Sequence, residues 1–270
     1  MYALKDKVAV VTGAGSGIGR ALAVQLAQKG CRLALADVNE AGLAETAALL
    51  PAKPYVQKLD VADRDAVYGF ADAVKRECGG AHVVINNAGV ALSQTIENLS
   101  YQDFEWLMNI NFWGVVYGTK AFLPTLRAQN DGAIVNLSSI FGIITVPTQG
   151  AYHAAKFAVR GFTETLRQEL EGSGVFAVCV HPGGIKTNIA RSARHYVDTM
   201  GNTDHARSAD EFDKMAKTSP DEAARVIIDG IERRRPRVLI GADARLMDRI
   251  QRWAPVRYPA ALRALMKMAR

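Results

Sequence analysis

The sequence predicts one doubly wound α/β domain built on a parallel sheet buried on both faces. Three observations carry this. Strand-like and helix-like segments alternate along the 270 residues. The strand-like segments are continuous apolar runs rather than alternating ones, as expected of strands covered on both sides. No internal repeat or low-complexity linker divides the chain, and α/β proteins of about 250 residues often form one unit. With 49% apolar and 22% charged residues, the composition is ordinary for a globular protein and excludes a disordered, fibrous or disulfide-stapled chain.

The elements follow in order. Residues 7–12 (KVAVVT) form a β-branched run that ends in a glycine cluster. Residues 18–29 place Ala and Leu at helical spacing until Gly30 stops them, and residues 32–37 (RLALAD) form the next strand. A helix over 40–50 leads to a strand near 55–59. A second helix over 63–77 takes Asp63 as its N-cap, since a short polar side chain there accepts a free backbone N–H. Residues 82–86 (HVVIN) make another buried strand. A long helix spans 101–127, with Pro124 expected to bend or end it late. A strand over 133–137, a helix over 151–170 and a strand over 175–181 follow. Ser219 caps a helix over 220–233, and residues 237–240 make the last strand. Between them, 186–218 is long, polar and irregular, the profile of a functional lid or a disordered segment.

The formal net charge of +6 is unevenly placed. Residues 231–270 hold eleven Lys/Arg against three Asp/Glu, a net +8, so the preceding 230 residues carry −2. A nearly neutral body argues against a nucleic-acid-binding domain, and the basicity belongs to the end of the chain. Cys31, Cys78 and Cys179 are odd in number and far apart, which points to packed free thiols in a reducing compartment. The chain runs from Met1 straight into Lys5-Asp6-Lys7 and has no apolar stretch of spanning length. A cytoplasmic protein without leader or membrane span is expected.

Thr12-Gly13-Ala14-Gly15-Ser16-Gly17-Ile18-Gly19 lies between the first strand and the first helix. Glycines there permit a tight turn and a close backbone approach to a pyrophosphate, and the helix N-terminus offers free N–H groups. A glycine-rich string alone is a weak signal; its position after a first strand strengthens it. Asp37 ends the second strand, 18 residues after Gly19. A carboxylate there accepts hydrogen bonds from both adenosine ribose hydroxyls and repels a 2′-phosphate. No Lys or Arg lies from Gly13 to Gly19, Val38 follows Asp37, and neither Arg20 nor Arg32 is placed as a phosphate clamp. NAD(H) is therefore expected over NADP(H).

These residues, with others in the same order, resemble the classical short-chain dehydrogenase/reductase family over roughly residues 5–241. Thr12–Gly19 matches TGxxxGIG. Asp60-Val61 resembles the family's adenine-contacting pair, and Asn86-Asn87-Ala88-Gly89 matches NNAG. Asn111 lies on the long helix, Ser139 follows the fifth strand, and Tyr152-x-x-x-Lys156 opens the next helix. Pro182-Gly183 with Thr187 matches PGxxxT. YxxxK by itself is common; the ordered set is specific. The resemblance implies a seven-stranded Rossmann sheet over residues 1–242, with 243–270 left as a basic amphipathic helical tail. It implies a cofactor site formed by Gly13, Gly15, Ser16, Gly17, Ile18, Gly19, Asp37, Asp60, Val61, Asn87, Ala88, Gly89, Tyr152, Lys156, Pro182, Gly183, Ile185 and Thr187. Its catalytic set is Asn111, Ser139, Tyr152 and Lys156.

The residue types suit that chemistry. Tyr152 and Lys156 stand four apart on a helix, on one face. A protonated lysine beside a phenol lowers its pKa from about 10, so Tyr152 can serve as base toward an alcohol or acid toward a ketone. By resemblance, Ser139 holds the substrate oxygen, Lys156 also binds the nicotinamide ribose, and Asn111 holds a water linking Lys156 to solvent. No metal-ligand spacing is present and no metal is expected. Ser138 neighbours Ser139, but the spacing of 13 to Tyr152 favours Ser139. His153 is read as a substrate-side or packing residue, His181 as structural, and Lys186 as either a weak phosphate contact or a solvated lysine.

Substrate choice is expected from residues 90–98, 140–151 and a lid near 188–217. Ile140, Phe141, Ile143, Ile144, Val146 and Pro147 suggest an apolar wall suited to a secondary alcohol or ketone with a hydrophobic body. In the tail, Leu246, Met247, Ile250 and Trp253 share one helical face. Leu262, Leu265, Met266 and Ala269 share a second beyond Pro255 and Pro259. Such basic amphipathic helices pack on the protein's own surface or a partner subunit, or make peripheral membrane contact; the first is favoured. The leading function is an NAD(H)-dependent alcohol dehydrogenase or ketone reductase. The alternatives are an NADP(H)-dependent carbonyl or 3-oxoacyl reductase, and an inactive NAD-binding sensor or scaffold. The resemblance further suggests a homodimer or homotetramer paired through the helices over 101–127 and 151–170.

Overall fold

The computed structural model describes residues 1–260. Its chain order is β1 (Val8–Thr12), α1 (Gly17–Gln28), β2 (Arg32–Asp37), α2 (Glu40–Ala48), β3 (Tyr55–Lys58), α3 (Arg64–Cys78), β4 (Val83–Asn86), β5 (Leu92–Ser93) and α4 (Tyr101–Met108). After a π-helical turn at Asn109–Trp113 come α5 (Gly114–Ala128), β6 (Gly132–Leu137), a 3-10 turn at Ile140–Gly142, α6 (Gly150–Glu169), β7 (Val175–Pro182) and β8 (Arg194–His195). The chain continues through α7 (His205–Met215), α8 (Pro220–Glu232), β9 (Arg237–Ile240) and α9 (Ala242–Trp253).

Seven parallel strands stand in the order β3-β2-β1-β4-β6-β7-β9, as the apolar runs foretold. Alternate residues of each strand face opposite layers. Ala9, Val11, Leu33, Leu35, Val83 and Ile85 pack in one core with Leu22 and Leu26 of α1 and Ile227 of α8. Val8, Val10, Ala34, Ala36, Val84 and Ile134 pack in the other with Phe70 of α3 and Phe122 of α5. Strand order reverses between β1 and β4, and ligand crevices in such sheets open at the carboxyl ends beside that switch.

Helix starts are set by side chains that accept first-turn N–H groups. Asp63 accepts from Ala66 N and Ser219 from Glu222 N, both as expected; Asn39, Ser100 and Asp204 do the same for α2, α4 and α7. The expected helix over 101–127 is one run interrupted by the π turn, and it continues past Pro124 to Ala128. The stretch read as irregular contains α7, and β8 pairs in parallel with β5 to form a second, two-stranded sheet.

The tail differs in part from its expected pattern. Met247 and Ile250 pack with the buried Ala244 against Ile143 and Ile144. Leu246 is half-exposed and Trp253 is 89% exposed, so these two lie off the packed face. Asp248 is buried between Arg237 of β9 (2.7 Å) and Arg252 (3.2 Å). The second expected face, at Leu262, Leu265, Met266 and Ala269, lies outside the described residues. Among the described residues no helix is long and apolar enough to cross a membrane.

Candidate active site

The glycine loop is stitched to the end of β4. Thr12 Oγ1 accepts from Asn87 N at 3.1 Å and Ala88 N at 3.2 Å, and Asn87 Nδ2 donates to Thr12 O at 2.9 Å. Gly13 has φ +66°, and a Cβ there would sit 2.8 Å from Ala88 Cα; both its conformation and its neighbour require glycine. Ser16 precedes α1 in extended conformation and makes no side-chain cap. The first-turn N–H groups from Gly17 onward, including Ile18 and Gly19, thus have no side chain seated on them, as a phosphate cradle needs.

Asp37 stands at the carboxyl end of β2 and reaches this loop. Its Oδ2 accepts from Gly15 N at 2.8 Å and its Oδ1 from Asn39 N at 2.9 Å. Two backbone bonds fix the carboxylate and leave a lone pair on each oxygen. Arg20 is committed elsewhere, to Gly15 O and Glu45 at 2.6 Å and to Thr46 Oγ1 at 3.0 Å. Arg32 begins β2, at the opposite end of the sheet from Asp37. Asp60 Oδ1 accepts from Ala62 N at 2.9 Å, and Val61 is buried with its side chain against Gly114 of α5. After β7, Pro182 and Gly183 lead to Ile185, whose side chain is buried in the core. Thr187 then crosses the glycine loop, its Cγ2 3.1 Å from where a Cβ on Gly17 would lie. The sequence-predicted cofactor residues therefore line one continuous edge, although Ile185 offers it only backbone.

The candidate catalytic residues adjoin that edge. Ser139 leaves β6 and caps the 3-10 turn, its Oγ accepting from Phe141 N at 3.1 Å. Ser138 is turned away and donates to Lys156 O at 2.8 Å. Tyr152 lies in the first turn of α6, with Lys156 one turn on. Lys156 Nζ donates to Leu137 O at 3.0 Å and stands 5.5 Å from the Tyr152 ring centroid. Asn111 is fully buried within the π turn. Its Oδ1 accepts from Val90 N and its Nδ2 donates to Val90 O, both at 2.8 Å. Gly89 separates Asn111 from Lys156: a Cβ there would lie 3.1 Å from Asn111 Oδ1 and 3.6 Å from Lys156 Nζ.

Burial governs the titration of this group. It pushes the Tyr152 phenol up to about 12, while the Ser139 hydroxyl lowers it in part. It pulls the Lys156 ammonium down to about 8. Both shifts favour the uncharged forms, so the lowered phenol expected from the neighbouring Lys156 is not found in this arrangement: burial sets both groups. An added positive charge or a hydrogen-bonding oxygen near the phenol is what would bring phenolate within reach.

Two histidines brace the centre without entering it. His153 holds Phe141 O at 3.0 Å and Val146 N at 2.9 Å, and burial lowers its pKa. Of its two expected roles, it takes the packing one. His181, fully buried, bonds Ser139 O through Nδ1 at 3.1 Å, and burial pulls its pKa down to about 4.

The wall after Ser139 is narrower than its sequence suggested. Ile140, Ile143 and Ile144 are buried with Ala244 and Tyr258 rather than facing a cleft. Phe141 remains, set edge-on to Tyr152 at 6.2 Å, together with the partly open Val146 and the exposed Pro147. Asp103 and Tyr196, which sequence reasoning missed, meet Arg194 of the stretch read as a lid. Arg194 of β8 pairs with Asp103 of α4 at 2.7 Å and covers the Trp106 ring at 3.7 Å, while Tyr196 donates to Asp103 at 2.9 Å. Burial raises the Asp103 pKa, but bonds from Arg194, Tyr196 and Ser100 outweigh it and hold the carboxyl below its usual range. No local signal announces a contact spanning 91 residues.

Comparison with known proteins agrees with this geometry. A family model described as short chain dehydrogenase matches residues 7–198. A putative oxidoreductase, SadH, of Mycobacterium tuberculosis is 48% identical over 258 residues, covering 93% of this chain and 92% of that protein. Human estradiol 17-beta-dehydrogenase 11 is 30% identical over 263 residues, covering 95% and 82%. The crystal structure of a short-chain dehydrogenase/reductase from Burkholderia phymatum in complex with NAD superposes with a TM-score of 0.87 at 31% identity, covering 93% and 95%.

Proposed function

The chain belongs to the short-chain dehydrogenase/reductase family, an oxidoreductase family, and on that premise we propose that it moves hydride between NAD(H) and a secondary alcohol or ketone with a hydrophobic body. The observation that carries the reading is the convergence of Ser139, Tyr152, Lys156 and Asn111 beside the glycine loop.

The nicotinamide cofactor, when bound, accepts or supplies the hydride; its fit to this chain rests on the uncapped α1 N-terminus and the fixed Asp37 carboxylate. Tyr152 exchanges the proton with the substrate oxygen, taking it from an alcohol or giving it to a ketone as the hydride leaves or arrives. Ser139 hydrogen-bonds that oxygen. Lys156, held by Leu137 O, supplies the positive charge that favours phenolate. Asn111 acts through Val90, whose backbone it grips with both amide atoms.

Asp37 favours NAD(H) because it can accept from both ribose hydroxyls and because Arg20 is already occupied. An uncharged substrate is favoured by the lid, where Arg194 pairs with Asp103 and Arg191 with Asp210 and Asp213. Phe141 beside Tyr152 favours an apolar body. A homodimer is the proposed assembly, through the α4–α5 and α6 faces that expose Trp113 and Phe157. The tail is proposed to add peripheral membrane contact through Leu246, Trp253 and Val256, exposed among arginines.

The test is an NAD-coupled screen of hydrophobic secondary alcohols, diols and acyloins against polyols and carboxylates, repeated with Tyr152→Phe. Turnover of the hydrophobic alcohols, abolished in Tyr152→Phe with NADH binding kept, is expected. A sharp preference for polyols, or an unaffected rate in Tyr152→Phe, overturns the reading.

A further inference from the structure

We infer that the C-terminal segment from α9 to Tyr258 is part of the active-site scaffold, with Asp243 positioning the cofactor loop and Tyr258 positioning the substrate wall. The inference rests on the proposed oxidoreductase reading and assigns it two further residues.

Asp243 lies in the first turn of α9. Its Oδ2 accepts from Gly184 N at 2.8 Å. The same carboxylate fills the space beside Gly183 and Gly241, where a side chain on either glycine would collide with it. Gly183 N in turn donates to Ile240 O at 2.9 Å. The Pro182–Gly184 corner is therefore gripped by the end of β9 on one side and the start of α9 on the other. Three residues further along, Thr187 lies over Gly17 of the phosphate loop. A corner free to shift would carry Thr187 with it.

Tyr258 works on the other side of the centre. It is buried, and its ring packs with Ile140, Ile143, Ile144 and Ala244. Its hydroxyl accepts from Thr145 N at 3.0 Å and shares a second bond with Thr145 Oγ1 at 2.8 Å. The segment it holds begins at Ser139 and carries Phe141, the ring that meets Tyr152. His153 secures this segment from within, at Phe141 O and Val146 N. Tyr258 secures it from outside, at the residue between Ile144 and Val146. A loop tied from both sides presents one geometry and has less conformational freedom to lose when substrate binds.

The two anchors serve different ligands, so their variants should fail differently. Wild type, Tyr258→Phe, Asp243→Ala and Asp243→Asn are compared by steady-state kinetics with NAD and the best alcohol from the screen. NADH affinity is read by fluorescence titration and folding by thermal denaturation. Tyr258→Phe removes only the hydroxyl; kcat/KM for the alcohol should fall at least fivefold with NADH Kd within twofold of wild type. Asp243→Ala should weaken NADH at least fivefold, and Asp243→Asn, which keeps an acceptor oxygen for Gly184 N, should recover most of that loss. Variants that match wild type within twofold on every parameter, or that lose cofactor affinity and alcohol turnover in parallel with a lowered Tm, overturn the inference and leave the tail a passive cover. Wild type that binds neither NADH nor NADPH overturns the functional reading itself, a result distinct from either.

Discussion

Replacing Asp37 with serine tests the cofactor assignment at its narrowest point. The carboxylate is fixed by Gly15 N and Asn39 N, is partly exposed, and keeps one lone pair on each oxygen for a ribose hydroxyl. Two charge-assisted bonds would contribute about 1.5–3 kcal/mol each if fully buried. Halved for exposure, they supply about 1.5–3 kcal/mol, or roughly 10- to 150-fold in NADH affinity. A 2′-phosphate of about two charges at about 5 Å adds a repulsion of about 3 kcal/mol for an effective dielectric near 40, between surface and bulk values. Wild type should thus prefer NADH over NADPH by at least about 100-fold, and Asp37→Ser should bring the two within about tenfold. The Kd for each cofactor is read by fluorescence titration. Loss of the loop bonds should lower Tm by about 2–4 °C, the usual effect of about 1 kcal/mol at this chain length, so folding is checked alongside. Equal binding of both cofactors by wild type, or a ratio unchanged by the substitution, refutes the argument.

Other outcomes follow from the same geometry. Lys156 is lowered to about 8, so the folded state binds fewer protons than the unfolded chain between about pH 8 and its ordinary value. The burial cost is present in full below pH 8, and Lys156→Met should raise Tm at pH 7 while abolishing turnover; a lowered Tm would contradict this. His181 is lowered to about 4, so its neutral form stabilises the fold above its unfolded value near 6.5 and that contribution is lost as pH falls toward 4, up to about 3 kcal/mol in all. His181→Asn should flatten the drop in Tm between pH 6.5 and 4 relative to wild type; an identical slope would exclude His181 as its source. Asp103→Asn removes the charge that holds Arg194 and should raise the alcohol KM severalfold with kcat changed less; an unchanged KM would separate the lid clamp from substrate binding.

The sheet was legible because parallel strands buried on both faces are near-continuous apolar runs, as in Val8–Thr12 and Gly132–Leu137, where every residue is buried and only Thr12 and Asn136 carry polar side chains. Caps such as Asp63 and Ser219 were legible because the acceptor lies three residues from its donor. The glycine loop, Asp37, Ser139, Tyr152 and Lys156 were legible as an ordered pattern, and the structure brings them to one edge. The π turn was not, because a phase step of one residue within a short amphipathic stretch does not mark where the hydrogen-bond ladder widens. Nor were β5 and β8, two residues each, whose pairing depends on contacts about a hundred residues apart. The isoleucines after Ser139 misled because periodicity gives their apolar character but not what covers them; Tyr258 and α9 do. The same limit applies to Trp253, which shares a stripe with Met247 and Ile250 yet lies beyond the surface they meet.

The π turn at Asn109–Trp113 also sets an angular relation. An extra residue in a regular α-helix would turn its two ends by about 100° against each other and add about 1.5 Å of rise; a π turn takes the residue up in one widened turn and cancels most of that offset. Upstream, Asp103 faces Arg194 of the lid; downstream, Thr119 faces Asn86 at the end of β4, at 3.3 Å. The turn keeps these two contacts in phase while it places Asn111 between them. The lid and the sheet are therefore meshed through one helical shaft, like two gears keyed to a common axle. Deleting one residue from the turn would restore a regular helical ladder and leave these two contacts nearly in phase, but it would remove the widened turn that seats Asn111 against Val90.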